Sequence, residues 1–310
     1  MLFSILALLS GFALLVFAGD YLVRGAVGLA ENFRIPQLVI GLTIVAFGTS
    51  APELFISAQA ALTGAPGIAV GNVVGSNIAN VLLVLGLPAM ILPTLTDQYG
   101  VRRSVIAMIA VTVLFMWMAG DGVISRIDGI ILLAALGAFI YWQIGMASGG
   151  RPPDFHDEIG TAPHDNGRIA LFVVGGIIGL PLGAQLTIIG ATDIARSFGI
   201  SETAVGLTIV ALGTSLPELA TGIMAAYRGS SAVAIGNVVG SNIFNIACIM
   251  GITSVLIPVA VDPHIISTDM WVMIAASLLV AIITVGRIRI GRLLGAAMTL
   301  AFIGYIMSVF

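Results

Sequence analysis

The chain has 310 residues, of which 59% are hydrophobic and only 9% charged, with a formal net charge of −3. A soluble domain carries about 25% charged residues, so the composition excludes a large soluble globule and points to a polytopic membrane protein. All 12 basic residues are arginine and none forms a basic run, which argues against a nucleic-acid partner.

Apolar runs long enough to cross a bilayer recur along the chain. The first covers about residues 2–24. It has no basic segment before it and reads as a first transmembrane helix, not a cleaved leader. Runs at 36–63, 68–93, 102–119 and 127–147 follow. The polar stretch "ASGGRPPDFHDEIGTAPHDNG", residues 147–167, then interrupts the pattern. Its His156, Asp157, Glu158, His164 and Asp165 read as a solvated loop in preference to a metal site. Five more runs follow at 168–194, 201–227, 232–257, 268–286 and 291–309. The single cysteine, Cys248, lies in an apolar run and reads as a small buried hydrophobe.

The two sets of five align without a gap at an offset of 165 residues. "GLTIVAFGTSAPE" at 41–53 returns as "GLTIVALGTSLPE" at 206–218, and "GNVVGSNI" at 71–78 returns unchanged at 236–243. Asn80 falls on Asn245, and Asp97 on Asp262. Such self-similarity marks a duplication. A repeat of five spans ends on the opposite side from its start, so the second copy enters the membrane upside down, as in secondary transporters. The expected fold is an all-α membrane protein of ten transmembrane helices in two inverted five-helix repeats. Residues 1–146 form the first repeat, 147–167 a polar cytoplasmic loop, and 168–310 the second repeat. With the N-terminus outside, inner connections hold ten arginines, against Arg126 and Arg196 outside. This positive-inside bias predicts that both termini are external.

Glu53 and Glu218 fall mid-span, where a buried carboxylate costs several kcal/mol unless it has a task. Pro52 and Pro217 cannot donate to the carbonyls of Gly48 and Gly213. The helices are therefore expected to open near Ala46–Thr49 and Ala211–Thr214 and to free carbonyl oxygens for a cation. Thr49, Ser50, Thr214 and Ser215 add hydroxyls beside each carboxylate. Asn72, Ser76 and Asn80 make one helical stripe, and Asn237, Ser241 and Asn245 repeat it. Interhelical hydrogen bonding is the plainer account of the outer Asn72 and Asn237; Ser76, Asn80, Ser241 and Asn245 are better placed as ligands. Gly71, Gly75, Gly236 and Gly240 read as helix-packing positions. All the donors are oxygens, which suits hard cations such as Ca²⁺ and Na⁺.

The paired "GTSAPE"/"GTSLPE" and "GNVVGSN" motifs resemble the α-repeats of the calcium/cation antiporter superfamily, in particular its prokaryotic sodium/calcium exchangers. The resemblance implies cation sites at mid-membrane, built from Glu53, Glu218, Thr49, Ser50, Thr214, Ser215, Ser76, Ser241, Asn80 and the carbonyls of Ala46 and Ala211. Asn245 joins them as the repeat partner of Asn80. Members of the family often carry an aspartate at one of positions 80 and 245, and here both are asparagine.

The functional expectation is a Na⁺/Ca²⁺ antiporter in the cell inner membrane that works as a monomer with no cofactor, the ions being its substrates. A proton-coupled Ca²⁺ antiporter on the same scaffold is the alternative. A channel fits the inverted duplication poorly, and no catalytic constellation lies mid-span to suggest an enzyme.

Overall fold

The computed structural model describes residues 2–64, 66–98, 100–148, 163–198 and 211–309. It is helical almost throughout. In chain order, its helices are α1 (Leu2–Phe33), α2 (Gln37–Thr49), α3 (Ala51–Leu62), α4 (Gly67–Ile91), α5 (Val101–Asp121), α6 (Arg126–Gly145) and α7 (Asn166–Ser197). There follow α8 (Ala211–Thr214), α9 (Leu216–Tyr227), α10 (Ser231–Leu256), α11 (Ile265–Val285) and α12 (Arg292–Val309). Among the described residues, 8 helices are long and apolar enough to cross a membrane, or 9 if the bent pair α2–α3 is one span. The first ten residues of the predicted span 201–227 lie outside the described residues.

Helices α1 and α7 are both longer than the predicted spans 2–24 and 168–194, at 32 residues each. At 1.5 Å per residue they extend about 48 Å, well past a hydrocarbon core of about 30 Å. The extra turns carry polar groups that hydropathy discounts: Glu31 and Asn32 close α1, and Asp165 caps α7 by accepting from the Arg168 N–H at 2.9 Å. The two helices pack along their length through glycines. A Cβ on Gly11, Gly176, Gly183 or Gly190 would lie only 2.5–3.0 Å from the partner helix. Close backbone approach of this kind replaces the hydrophobic drive that lipid cannot supply.

The inner layer is α4 and α10 with α2, α3, α8 and α9 around them. Gly236 and Gly240 press on the Leu38 and Leu42 carbonyls, as the packing reading expects. The segment that would face Gly71 and Gly75 by the same repeat is outside the described residues. Both α4 and α10 contain a π-helical stretch, Asn80–Val84 and Phe244–Met250, and α2 contains another at Gly41–Val45. None of these was expected from the sequence. The counterpart of the third falls on residues 206–210, outside the described set.

The connections pair off in two groups. A two-stranded antiparallel ribbon joins β1 (Val123–Ile124) to β2 (Val259–Ala260), and Arg126 donates to the Leu256 carbonyl beside it. In the other group, Thr94 and Ile290 exchange backbone hydrogen bonds of 3.0 Å. Arg102 donates to the Val285 carbonyl at 2.6 Å and Asn32 to the His164 carbonyl at 2.8 Å; Arg228, just after α9, forms an ion pair with Asp20 inside α1.

Candidate functional site: a buried cage of oxygens

The chain between α2 and α3 bends by 46° at Ser50. This corrects the expected opening over Ala46–Thr49, which remains helical. Pro52 occupies the first turn of α3, where its missing N–H costs least, so the break falls just before that turn. Nor is the Ala46 carbonyl freed. It accepts from the Ser50 N–H at 3.0 Å, and the Thr49 hydroxyl, whose one proton is shared with Asn237, lies 3.3 Å from it. In the second copy the matching N–H, on Ser215, donates to Leu212 instead of Ala211. The two breaks are therefore not identical.

The breaks place Glu53 and Glu218 in the first turns of α3 and α9, each 1% exposed. Thr49, Ser50, Thr214 and Ser215 are buried beside them. The Ser50 hydroxyl donates to Glu218 Oε1 at 3.2 Å, so a side chain of one repeat meets the carboxylate of the other. Thr49 does the same work with α10: its hydroxyl donates to Asn237 Oδ1 at 3.1 Å and lies 3.4 Å from the Ser241 hydroxyl. Helix α3 packs against the π-helical stretch holding Asn245, and α9 against the one holding Asn80. The predicted site residues thus belong to segments linked to one another by packing contacts, the Ala211–Thr214 segment through α7 and α9.

Asn72 and Asn237 make interhelical hydrogen bonds, the plainer of their two expected roles. Asn72 donates to the Ser57 hydroxyl at 2.9 Å and to the Glu53 carbonyl at 3.3 Å. Sequence reasoning passed over Asn77 and Asn242 altogether. They lie one residue beyond the serine of each stripe, off its i, i+4, i+8 line, and are buried between α4 and α10 in contact with each other. Their recurrence in both copies of "GNVVGSNI" was the available signal.

The electrostatic character of the cage follows from what is left unpaired. Among the described residues, Glu53 Oε1 and Oε2, Glu218 Oε2, Asn80 Oδ1 and Asn245 Oδ1 are buried and accept no hydrogen bond. Each of these five is an acceptor, and leaving one buried and unsatisfied costs about 1–3 kcal/mol, more for a charged group; the Asn237 amide nitrogen, a donor, is also buried without a partner. An arrangement that collects five such oxygens on the repeated motifs is built to receive positive charge. No group of three or more His, Cys, Asp or Glu is found among the described residues. A narrow pocket bordered by Phe47, Leu54, Phe244 and the buried Cys248 reaches Ser50.

Comparison with known proteins identifies the architecture. The family described as "Sodium/calcium exchanger protein" matches residues 3–145 and again 168–310. The chain belongs to this family. MaX1 of Methanosarcina acetivorans, named a sodium/calcium exchanger, is 31% identical over 99% of this chain and 98% of its own. The inner membrane protein YrbG of Escherichia coli is 36% identical over 100% of this chain and 98% of its own. A solved structure of the sodium-calcium exchanger NCX_Mj, soaked with 10 mM Na⁺ and 10 mM Sr²⁺, matches with a TM-score of 0.88 at 32% identity, covering 100% of this chain and 99% of that one. The family member described here is a multi-pass membrane protein of the antiporter class.

Proposed function

We propose that this protein is a secondary antiporter that exchanges Na⁺ for Ca²⁺ by alternating access. The observation that carries the reading is the set of five buried, unpaired acceptor oxygens on Glu53, Glu218, Asn80 and Asn245. The relatives named as sodium/calcium exchangers support the choice of ions. Glu53, Glu218, Thr49, Ser50, Thr214, Ser215, Ser76, Ser241, Asn80 and Asn245 supply the coordinating side-chain oxygens, with backbone oxygens near Ala46 and Ala211. The ions are the substrates, and the cycle calls for no cofactor.

The scaffold is proposed to be ten spans in two inverted repeats, 1–146 and 168–310 joined by the loop 147–167. The pairing of connections supports this. A ten-span count puts the connections at 119–126 and 257–264 on one face, and these share the ribbon. It puts those holding Thr94 and Ile290, and those holding Asn32 and His164, on the other, and each of these pairs is in contact. Arginine placement then makes the ribbon face external and both termini external in the inner membrane. The working unit is proposed to be a monomer.

If both glutamates are ionised, the empty cage holds a charge of −2, which resists passage across an apolar barrier. Ca²⁺ or a set of Na⁺ removes that resistance, so the carrier moves loaded and exchange replaces leak. Ca²⁺ uptake into proteoliposomes driven by an outward Na⁺ gradient tests the proposal. Uptake driven only by a pH gradient would establish proton coupling instead.

A further inference from the structure

We propose that Asn77 and Asn242 are positioning residues that fix which end of the Asn80 and Asn245 amides faces the cation. The inference rests on the cation-site reading above and concerns the orientation of two of its ligands. The Asn77 amide N–H₂ donates to the Asn242 carbonyl at 3.2 Å and to the Met273 sulfur at 3.8 Å. Its repeat partner does the same: Asn242 donates to the Asn77 carbonyl at 3.4 Å and to the Met108 sulfur at 3.6 Å. Met108 and Met273 are themselves related by the repeat offset.

An amide can be turned end for end, but here its surroundings allow one answer. A backbone carbonyl and a thioether can only accept. Each central amide must therefore present nitrogen to them and oxygen to its other neighbour. That neighbour must then present nitrogen in turn. Asn245 Nδ2 donates to Asn77 Oδ1 at 3.0 Å, and Asn80 Nδ2 donates to Asn242 Oδ1 at 3.1 Å. With their nitrogens committed, Asn80 and Asn245 have only Oδ1 left for the cage, and these are two of its unpaired atoms. Two backbone carbonyls thus dictate, through Asn77 and Asn242, that oxygen and not nitrogen meets the ion. All four asparagines are at most 1% exposed, so water cannot relax the order.

The relay also accounts for asparagine at both positions. An ionised aspartate at 80 or 245 would set carboxylate oxygen against the carboxamide oxygen of 242 or 77, acceptor against acceptor. The crossed network therefore matches a cage with two charges and two neutral amides.

The test is Na⁺-dependent ⁴⁵Ca²⁺ uptake into proteoliposomes by wild type, Asn77→Ala, Asn245→Ala and the double variant, with KM for Ca²⁺ as the readout. Loss of a partner that orients a metal ligand typically weakens metal affinity about 10–100-fold, and that rise in KM is expected for Asn77→Ala. Because Asn77 acts through Asn245, the double variant should match Asn245→Ala to within about twofold. Asn242→Ala and Asn80→Ala should show the same coupling. A wild-type KM in Asn77→Ala, or losses that multiply in the double variant, would overturn the relay. Should an alanine variant fail to fold, Asn77→Ser and Asn242→Ser carry the same comparison with a polar group retained. A wild type that shows no Na⁺-dependent uptake refutes the antiport reading itself, whereas an active wild type with an indifferent Asn77→Ala refutes only the relay.

Discussion

If both glutamates are ionised, as in the proposed cycle, replacing Glu53 by glutamine removes one charge and changes almost no volume. Both Glu53 oxygens are buried and unpaired, so no neighbouring hydrogen bond is lost. The cage falls from −2 to −1, and one acceptor becomes an N–H₂ donor aimed among acceptors. At about 4 Å and an effective dielectric of about 20, one carboxylate attracts a monovalent cation by roughly 4 kcal/mol and a divalent one by roughly 8 kcal/mol. Glu53→Gln should therefore weaken Ca²⁺ binding by about twice the free energy lost for Na⁺, which places Ca²⁺ exchange below detection. The ion-free protein gains, because burying a carboxylate in a membrane costs at least about 2.5 kcal/mol on the insertion scale. The expected signature is a raised Tm without ions, together with loss of the stabilisation that Ca²⁺ confers on wild type. Proteoliposome flux and thermal unfolding of the detergent-solubilised protein, with and without Ca²⁺, read the two effects. Wild-type-like flux in Glu53→Gln, or a flux loss accompanied by a lower ion-free Tm, would refute the assignment of Glu53 as a ligand.

Glu218→Gln should also abolish Ca²⁺ exchange, but it alters the bond from Ser50, so its ion-free stabilisation should be smaller; an equal or larger gain in Tm would contradict this. Asp97→Asn and Asp262→Asn should leave flux unchanged, since both carboxylates are exposed and Asp262 only accepts from the His264 N–H; a large defect in a folded variant would show otherwise. If three Na⁺ exchange for one Ca²⁺, moving one net charge is worth about 2.3 kcal/mol per 100 mV, so a potential set with K⁺ and valinomycin should shift the equilibrium Ca²⁺ ratio about 50-fold. A ratio indifferent to voltage would point to two Na⁺. In a Cys248→Ala background, Phe155→Cys should be reached by impermeant thiol reagents only from the cytoplasm and Pro263→Cys only from outside; the reverse would invert the topology.

Much of this protein is legible in its sequence because a bilayer leaves few choices. Hydropathy locates the spans, since every residue in lipid is tested against one apolar solvent. The constant offset discloses the duplication, and the glutamates stand out because an ionised side chain there needs a reason. Proline chemistry located the breaks to within a few residues, although tertiary packing set the bend at Ser50 and kept the Ala46 carbonyl bonded. Helix ends were under-read in α1 and α7 because their last turns leave the hydrocarbon, where hydropathy no longer reports on structure.

What only the tertiary structure decided is which polar atoms are spent and which are left over. Asn72, Asn77 and Asn80 are the same residue type on one repeated helix; the polar stripe ranks Asn80 above Asn72 as a ligand and is silent on Asn77. The fold gives Asn72 to Ser57, pins Asn77 to the Asn242 carbonyl, and leaves only the oxygen of Asn80 unpaired. The physical reason is that hydrogen-bond satisfaction is a property of pairs. A sequence lists donors and acceptors, but which of them meet depends on the close crossing of two helices 165 residues apart in the chain.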